Sequence, residues 1–456
     1  MKNSKAKLID GSIGPMLIKL TLPMLIGMLG MVAFNLVDTF FVGKLGATQL
    51  AALSFTFPVV LVVNSIALGL GIGGSAMISR AIGEGDSYRV RRLTTDGLML
   101  SFSIVVIFVI IGLFTIEPLF VMLGATKKVL PYIKQYMGIW YFGMPFVVVP
   151  MFGNNAIRAT GDTKTPSAIM IVAVIMNFIM DPMLIFGIGP FPQLGIRGAA
   201  ISTVIARFSA SMAAAWVLTK KYRMVSFEKT PFNEVIDSWK SILFIGVPIA
   251  GARMILPISV GIMTRIISVY GTKAVAGFGV ASRIEFFGLA VIRALSSIFG
   301  PFIGQNIGAK RYERVKRGMQ LAERFSLIWG FGIFLLLFFF ARRIAMIFNK
   351  DPQVVETIVK YLSIVPLSYG LQGVLLLGNT TLNVLQKPFH AAGLVAIQMF
   401  VLYIPLAYLG SYLLQVPGAF IGVAIAYAVA GVGAHFITKH YVHKAEKDHF
   451  NNHPNQ

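Results

Sequence analysis

The 456-residue chain has no cysteine, only 6 histidines, and 18 acidic residues against 40 basic ones. Without cysteine there are no disulfides and no thiolate metal sites, and redox chemistry leaves the compartment open. Charge of either sign is scarce, at 13% of residues, while 56% are hydrophobic and the mean hydropathy is +0.77. A soluble protein of this length has no way to cover that much apolar surface, so the solvent must itself be apolar. The shortage of acids leaves a formal net charge of +22. Nucleic acid is the obvious partner for such a charge, but its distribution excludes that reading.

Apolar runs recur along the whole chain, about twelve of them, each near the roughly 20 residues a spanning helix needs. With twelve spans and the N-terminus inside, about 24 Lys and Arg fall on one side and about 10 on the other. RVRR (89–92), KKYR (220–223) and KRYERVKR (310–317) all lie on the richer side. This is a topology signal rather than a binding groove. It predicts a multi-pass protein with both termini in the cytoplasm. The start, MKNSKAKLIDGSIG, lacks a small-residue cleavage site, so the first span is expected to be retained.

The chain repeats itself with an offset of 225 residues. Gly83 in AIGEGDSYRVRR pairs with Gly308 in NIGAKRYERVKR, and the same shift pairs Pro23 with Pro248, Arg92 with Arg317, Tyr136 with Tyr361 and Asn154 with Asn379. The register predicts an all-α integral membrane fold, twelve transmembrane helices in two six-helix lobes. Six is even, so both halves start on the same side and the repeat is parallel. The expected organisation is an N-terminal lobe (1–219), a polar cytoplasmic linker (220–240), a C-terminal lobe (241–440) and a disordered tail (441–456). A single chain of this design needs no partner subunit, and a monomer is expected.

Charge inside a span costs a few kcal/mol and asks for a reason. Asp38 lies in FNLVDTFFVG and Asp181 in NFIMDPMLIFG. Both spans run outward, and counting from their ends puts the two acids at similar depth in the outer half of the N-terminal lobe. Two carboxylates facing one pocket do not both ionise cheaply in a low dielectric. Such a pair can load and release a proton, or it can bind a cation. Asn177 shares the face of Asp181 one turn away, and Thr203 sits at similar depth in the sixth span. Their oxygens suit a hard ion such as Na+, with Asp38, Asn177 and Asp181 as its core. Pro182 and Pro23 each remove a helical hydrogen bond and allow bending. The competing reading is polar glue between helices. Simple ion pairing is disfavoured because spans one to five carry no Arg, and Arg207 in span six is nearer the cytoplasmic end. Asp96 and Glu117, near helix ends, need no special account.

Glu285, in SRIEFFGLA, shares its lobe with four arginines within spans, so pairing with Arg253 or Arg265 competes with a transport role. Asn154 and its repeat mate Asn379 sit towards the cytoplasmic ends of their spans and suit either a site or local helix geometry. The 22 Met and 36 Phe fit a cavity for large, varied apolar compounds without requiring one. GLGIGGSA (69–76) looks like a nucleotide loop but lacks Gly-Lys-Ser/Thr, so close helix packing is the better reading.

VDTFFVGKLGATQLAALSF (37–55), IRATGDTKTP (157–166) and the six-plus-six layout together resemble the multidrug and toxic compound extrusion (MATE) transporters over nearly the whole chain. The resemblance implies H+ or Na+ antiport against cationic, amphipathic small molecules by alternating access in the plasma membrane. It implies no cofactor and no catalysis. Within the family, the DinF-like branch places its ion site on residues matching Asp38, Asn177, Asp181 and Thr203, with Asn154 and Tyr136 as additions. Pro23 matches a proline whose bending is linked to protonation. The extra acids of the NorM-like branch are missing: span seven, GVPIAGARMILPISVG, has none, and span ten has only Glu356 at its start. Glu285 is the one C-lobe acid able to substitute in part. Two rivals remain. A flippase for a lipid-linked saccharide needs several cationic residues for pyrophosphate, and here the arginines cluster in one lobe. An intramembrane aspartyl enzyme lacks a Gly-x-Gly-Asp stretch and any supporting His or Ser constellation.

Overall fold

The computed structural model describes residues 6–228 and 230–452. The helices in chain order are α1 (Ile13–Gly43), α2 (Ala47–Glu84), α3 (Ser87–Met122), α4 (Leu130–Gly143), α5 (Pro145–Ala159), α6 (Lys164–Phe186), α7 (Ile196–Trp216) and α8 (Phe232–Ser268). They continue with α9 (Thr272–Gly288), α10 (Ala290–Gly308), α11 (Tyr312–Phe348), α12 (Pro352–Ile364), α13 (Tyr369–Val384), α14 (Pro388–Ala396) and α15 (Ile404–Asn452). In hydrocarbon every backbone N–H and C=O must be satisfied within the segment, which is why these apolar runs are helical. Large side chains such as Phe114, Phe339 and Ile347 point outward, as expected where lipid is the solvent.

Among the described residues, nine stretches are long and apolar enough to cross a membrane, and two bent pairs, α4–α5 and α9–α10, raise the count to eleven. One of the nine, Pro388–His449, has 62 residues, about 93 Å if straight and far too long for one crossing. It breaks inside α15 at Leu414 and Gln415, which leave helical φ/ψ. Gly418 O then stands beside Gly410, and Leu406 O beside Gly422, so the two arms run antiparallel. Splitting that stretch gives the twelve spans expected.

The bends have identifiable causes. Between α4 and α5 the chain turns by 42° where Pro145 has no N–H to donate. Between α9 and α10 it turns by 45° without a proline. There the Trp329 indole donates to Gly288 O at 3.1 Å and satisfies a carbonyl near the break. α1 and α6 continue unbroken through Pro23 and Pro182.

The chain divides into two compact units, one built on Leu22–Ala250 and the other on Leu8–Thr21 with the chain from Gly251 onward. α1 and α8 therefore each contribute to both units, and each changes unit within three residues of a proline, Pro23 or its repeat mate Pro248. In the first unit the glycines of GLGIGGSA allow backbone contact between α2 and α8. A Cβ on Gly69 would lie 2.4 Å from Gly246 O, and one on Gly73 2.7 Å from Ile242 O. The polar linker is partly helical, since α8 begins at Phe232. Its loop is pinned by Ser226 N donating to Thr95 Oγ1 at 2.9 Å. The expected disordered tail is instead helical through Asn452, because Glu446 is held at 2.7 Å by Lys316. Residues 453–456 of that expectation lie outside the described residues.

Candidate functional site

Four helices of the first unit bring polar side chains together near one end. Asp38 lies five residues before the end of α1 and Asp181 five before the end of α6. Tyr136 lies six after the start of α4, and Thr203 seven after the start of α7. Asp38, Asn177, Asp181, Tyr136 and Thr203 are all buried. Asp38 is within electrostatic reach of Asp181, and Tyr136 within reach of both acids. Asn177 Nδ2 donates to Asp181 Oδ1 at 3.1 Å, as the one-turn spacing predicts.

Two members of the cluster were not expected. The Ser202 hydroxyl donates to the same Asp181 oxygen. The sequence signal for it is Gly198, one turn earlier, where a Cβ would lie 2.3 Å from Leu184 O. That close approach marks the face of α7 turned towards α6, and Ser202 shares it. Arg207 is the other. The sequence reading set it too far inward to matter, yet it lies within electrostatic reach of Asp38 and Tyr136, with its guanidinium 4.4 Å from the centre of the Phe34 ring. Helical side chains lean towards the N-terminus of their own helix, which here is the end that holds the acids. The expected lack of arginine in the first five spans also fails, since α3 holds buried Arg92 and α5 buried Arg158.

Three buried oxygens in this cluster have no hydrogen-bond partner: Asp38 Oδ1, Asn177 Oδ1 and Asp181 Oδ2. The Thr203 hydroxyl lies beside that of Tyr136. Unpartnered buried acceptors are costly and uncommon in native folds. Two carboxylates, an amide and a hydroxyl form a hard-oxygen donor set, suited to a proton or to Na+. Two acids and one arginine leave a formal charge of one negative unit, which a single monovalent cation neutralises. Among the described residues no group of three or more His, Cys, Asp or Glu is placed to hold a metal.

Two sequence candidates lie elsewhere. Asn154 is 18 residues from Tyr136 across the α4–α5 bend, about 25 Å away by helical rise, so it does not join the acids. Its Oδ1 is buried and unpaired, as is that of Asn379. Pro23 is 15 residues from Asp38, about 22 Å along α1. Its neighbour Met24 offers Sδ to Arg158 at 3.3 Å, and a Cβ on Gly27 would meet Ser167 at 3.0 Å.

Glu285, in the second unit, pairs with neither Arg253 nor Arg265. It accepts from the Tyr361 hydroxyl, and from Tyr427 at 3.0 Å. Tyr361 is the repeat mate of Tyr136, so each unit sets the same tyrosine beside an acid. Asp96, expected to need no account near a helix end, is fully buried and bound by Arg92 at 2.5 Å.

The IRATGDTKTP stretch forms a clamp in the loop between α5 and α6. Asp162 accepts from Thr165 N at 3.0 Å, Thr165 Oγ1 at 2.5 Å, Tyr222 Oη at 2.6 Å and Lys221 Nζ at 3.3 Å. Burial alone would raise its pKa, but the Thr165 and Tyr222 hydrogen bonds, with Lys221, outweigh burial and hold it at about 2. This ties the start of α6 to the exit of α7.

The MatE family profile matches the chain twice, over residues 23–183 and 248–409. The two matches begin 225 residues apart, the offset of the internal repeat. An FAD transporter of Shewanella oneidensis is 38% identical over 95% of this chain and 96% of its own length. The probable multidrug resistance protein YoeA of Bacillus subtilis is 28% identical over 87% of each chain. Among solved structures, the bent form of the Vibrio cholerae MATE transporter VcmN superposes with a TM-score of 0.91 at 30% identity. That match covers 95% of this chain and 98% of VcmN.

Proposed function

The chain belongs to the MatE family of membrane transporters, and from that premise we propose that it is a secondary exporter that exchanges H+ or Na+ for a small molecule. The observation that carries this reading is the set of three unpartnered buried oxygens on Asp38, Asn177 and Asp181. With the loaded end facing outward, the acids take up the cation and the cluster contracts around it. Binding of substrate in the opposite state releases the ion, and the cycle alternates between the two. Asp181 accepts and holds the ion beside Asn177 and Ser202, Thr203 completes the oxygen set, and Arg207 balances Asp38 with Tyr136 alongside. The expected setting is the plasma membrane, with both termini cytoplasmic and one chain acting alone.

Cationic amphipathic compounds are the first substrate class, supported by multidrug relatives such as YoeA. A second reading exchanges them for a flavin dinucleotide, favoured by the 38% identity to the Shewanella FAD transporter across nearly the whole chain. A test of the export reading is proteoliposomes loaded with a fluorescent cationic dye or with FAD, given a pH gradient or a Na+ gradient separately. Movement driven by one gradient in the wild type and lost in Asp181→Asn is the expected result. Equal movement in Asp38→Asn and Asp181→Asn would refute the assigned site.

A further inference from the structure

The second unit holds a cluster of opposite sign to the acid pair. Arg253, near the middle of α8, and Arg293, in the first turn of α10, lie within Coulombic reach of each other. Neither has a carboxylate partner within ion-pair distance among the described residues. Arg253 is exposed, and Arg293 keeps its Nε buried with no hydrogen-bond partner. Glu285 is within reach of Arg293, but its oxygens are occupied by the tyrosine hydroxyls of Tyr361 and Tyr427. The three charges sum to one positive unit. Two guanidinium groups within Coulombic reach in a membrane-spanning unit repel each other and are expensive to desolvate. They stand beside the 45° break between α9 and α10, and broken helices are where transporters build substrate sites. The Arg293 guanidinium also lies 5.3 Å from the centre of the Phe286 ring, an aromatic face at the edge of the pair.

We infer that Arg253 and Arg293 form a phosphate subsite, which binds the phosphate or pyrophosphate of a substrate carrying an aromatic or lipid body. This deepens the export reading, on which it rests. Guanidinium groups match phosphate geometry through paired N–H donors. An anion between them removes their mutual repulsion and satisfies the Arg293 Nε. Glu285 offsets one of the two positive charges, and an anion would meet the positive unit that remains.

The test uses purified full-length protein and fluorescence anisotropy of FMN and riboflavin, which differ by one phosphate. The wild type is expected to bind FMN at least about tenfold more tightly than riboflavin. Arg253→Gln and Arg293→Gln should each bring the two affinities within about twofold, with Arg253→Lys keeping part of the preference. Melting curves identify any variant that fails to fold, and the Lys variant then carries the test. Displacement of FMN by inorganic pyrophosphate supports a soluble phosphate as ligand. Displacement by farnesyl pyrophosphate alone supports the same arginines acting on a lipid-linked one. A wild type without phosphate preference, or a preference that survives in the folded double Gln variant, overturns the proposal. Binding is read without an ion gradient, so failure of gradient-driven export would leave this result standing, and the reverse also holds.

Discussion

Replacing Asp162 by asparagine removes the charge at the centre of the α5–α6 clamp and keeps its shape. The carboxyl is held at about 2 against an ordinary value of 3.8. That depression corresponds to about 2 kcal/mol of folding free energy. Most of it comes from the Thr165 and Tyr222 hydrogen bonds, since the Lys221 partner is nearly half exposed and surface ion pairs contribute little. Because the folded pKa is depressed, the stabilisation is present above pH about 4 and is lost as pH falls through about 2. Melting of detergent-solubilised protein should show Asp162→Asn less stable than wild type at pH 7, with the gap closing in acid. Tyr222→Phe should show part of the same loss. Wild-type melting at pH 7 in Asp162→Asn, or full stability with lost export, would refute the clamp and make the loop part of the transport site.

Gly97→Ala drives a Cβ to within 2.0 Å of the Phe152 ring, which is also pressed against Gly74. Overpacking of this kind should cost about 1–3 kcal/mol, read as a lower melting temperature. Arg92→Leu strands the buried Asp96 carboxylate and should destabilise by about 3–5 kcal/mol, whereas Arg92→Met with Asp96→Leu should recover most of the loss. Ser202→Ala removes one donor to Asp181, worth about 1.5–3 kcal/mol to an ionised acceptor. Export at a fixed gradient should fall, and the half-maximal ion concentration should move by about tenfold.

The architecture was legible because its signals are long. Twelve apolar runs, the Lys/Arg asymmetry and a register of 225 residues each average over many positions. Asp38, Asn177, Asp181 and Thr203 were legible because polar residues in hydrocarbon stand out one at a time. What stayed hidden depends on rotation and reach. Ser202 and Thr203 are adjacent in sequence, and only the rotation set by Gly198 against Leu184 shows that Ser202 meets Asp181. Arg207 was placed by its Cα, whereas its guanidinium acts a turn away. Glu285 was matched to arginines by charge, although two tyrosines from distant helices reach it. The helical tail was misread because its anchor, Lys316, lies 130 residues away from Glu446.

The most direct test of the central claim is whether substrate and ion displace each other at Asp38 and Asp181. Reciprocal linkage requires it if one excludes the other. Substrate would be added to purified protein in weakly buffered solution, with a pH electrode and a Na+ electrode reading the medium. The account predicts release of about one H+ or one Na+ per protein bound, and none from Asp38→Asn with Asp181→Asn. Tight substrate binding with no ion released from the wild type, or equal release from the double variant, would contradict it.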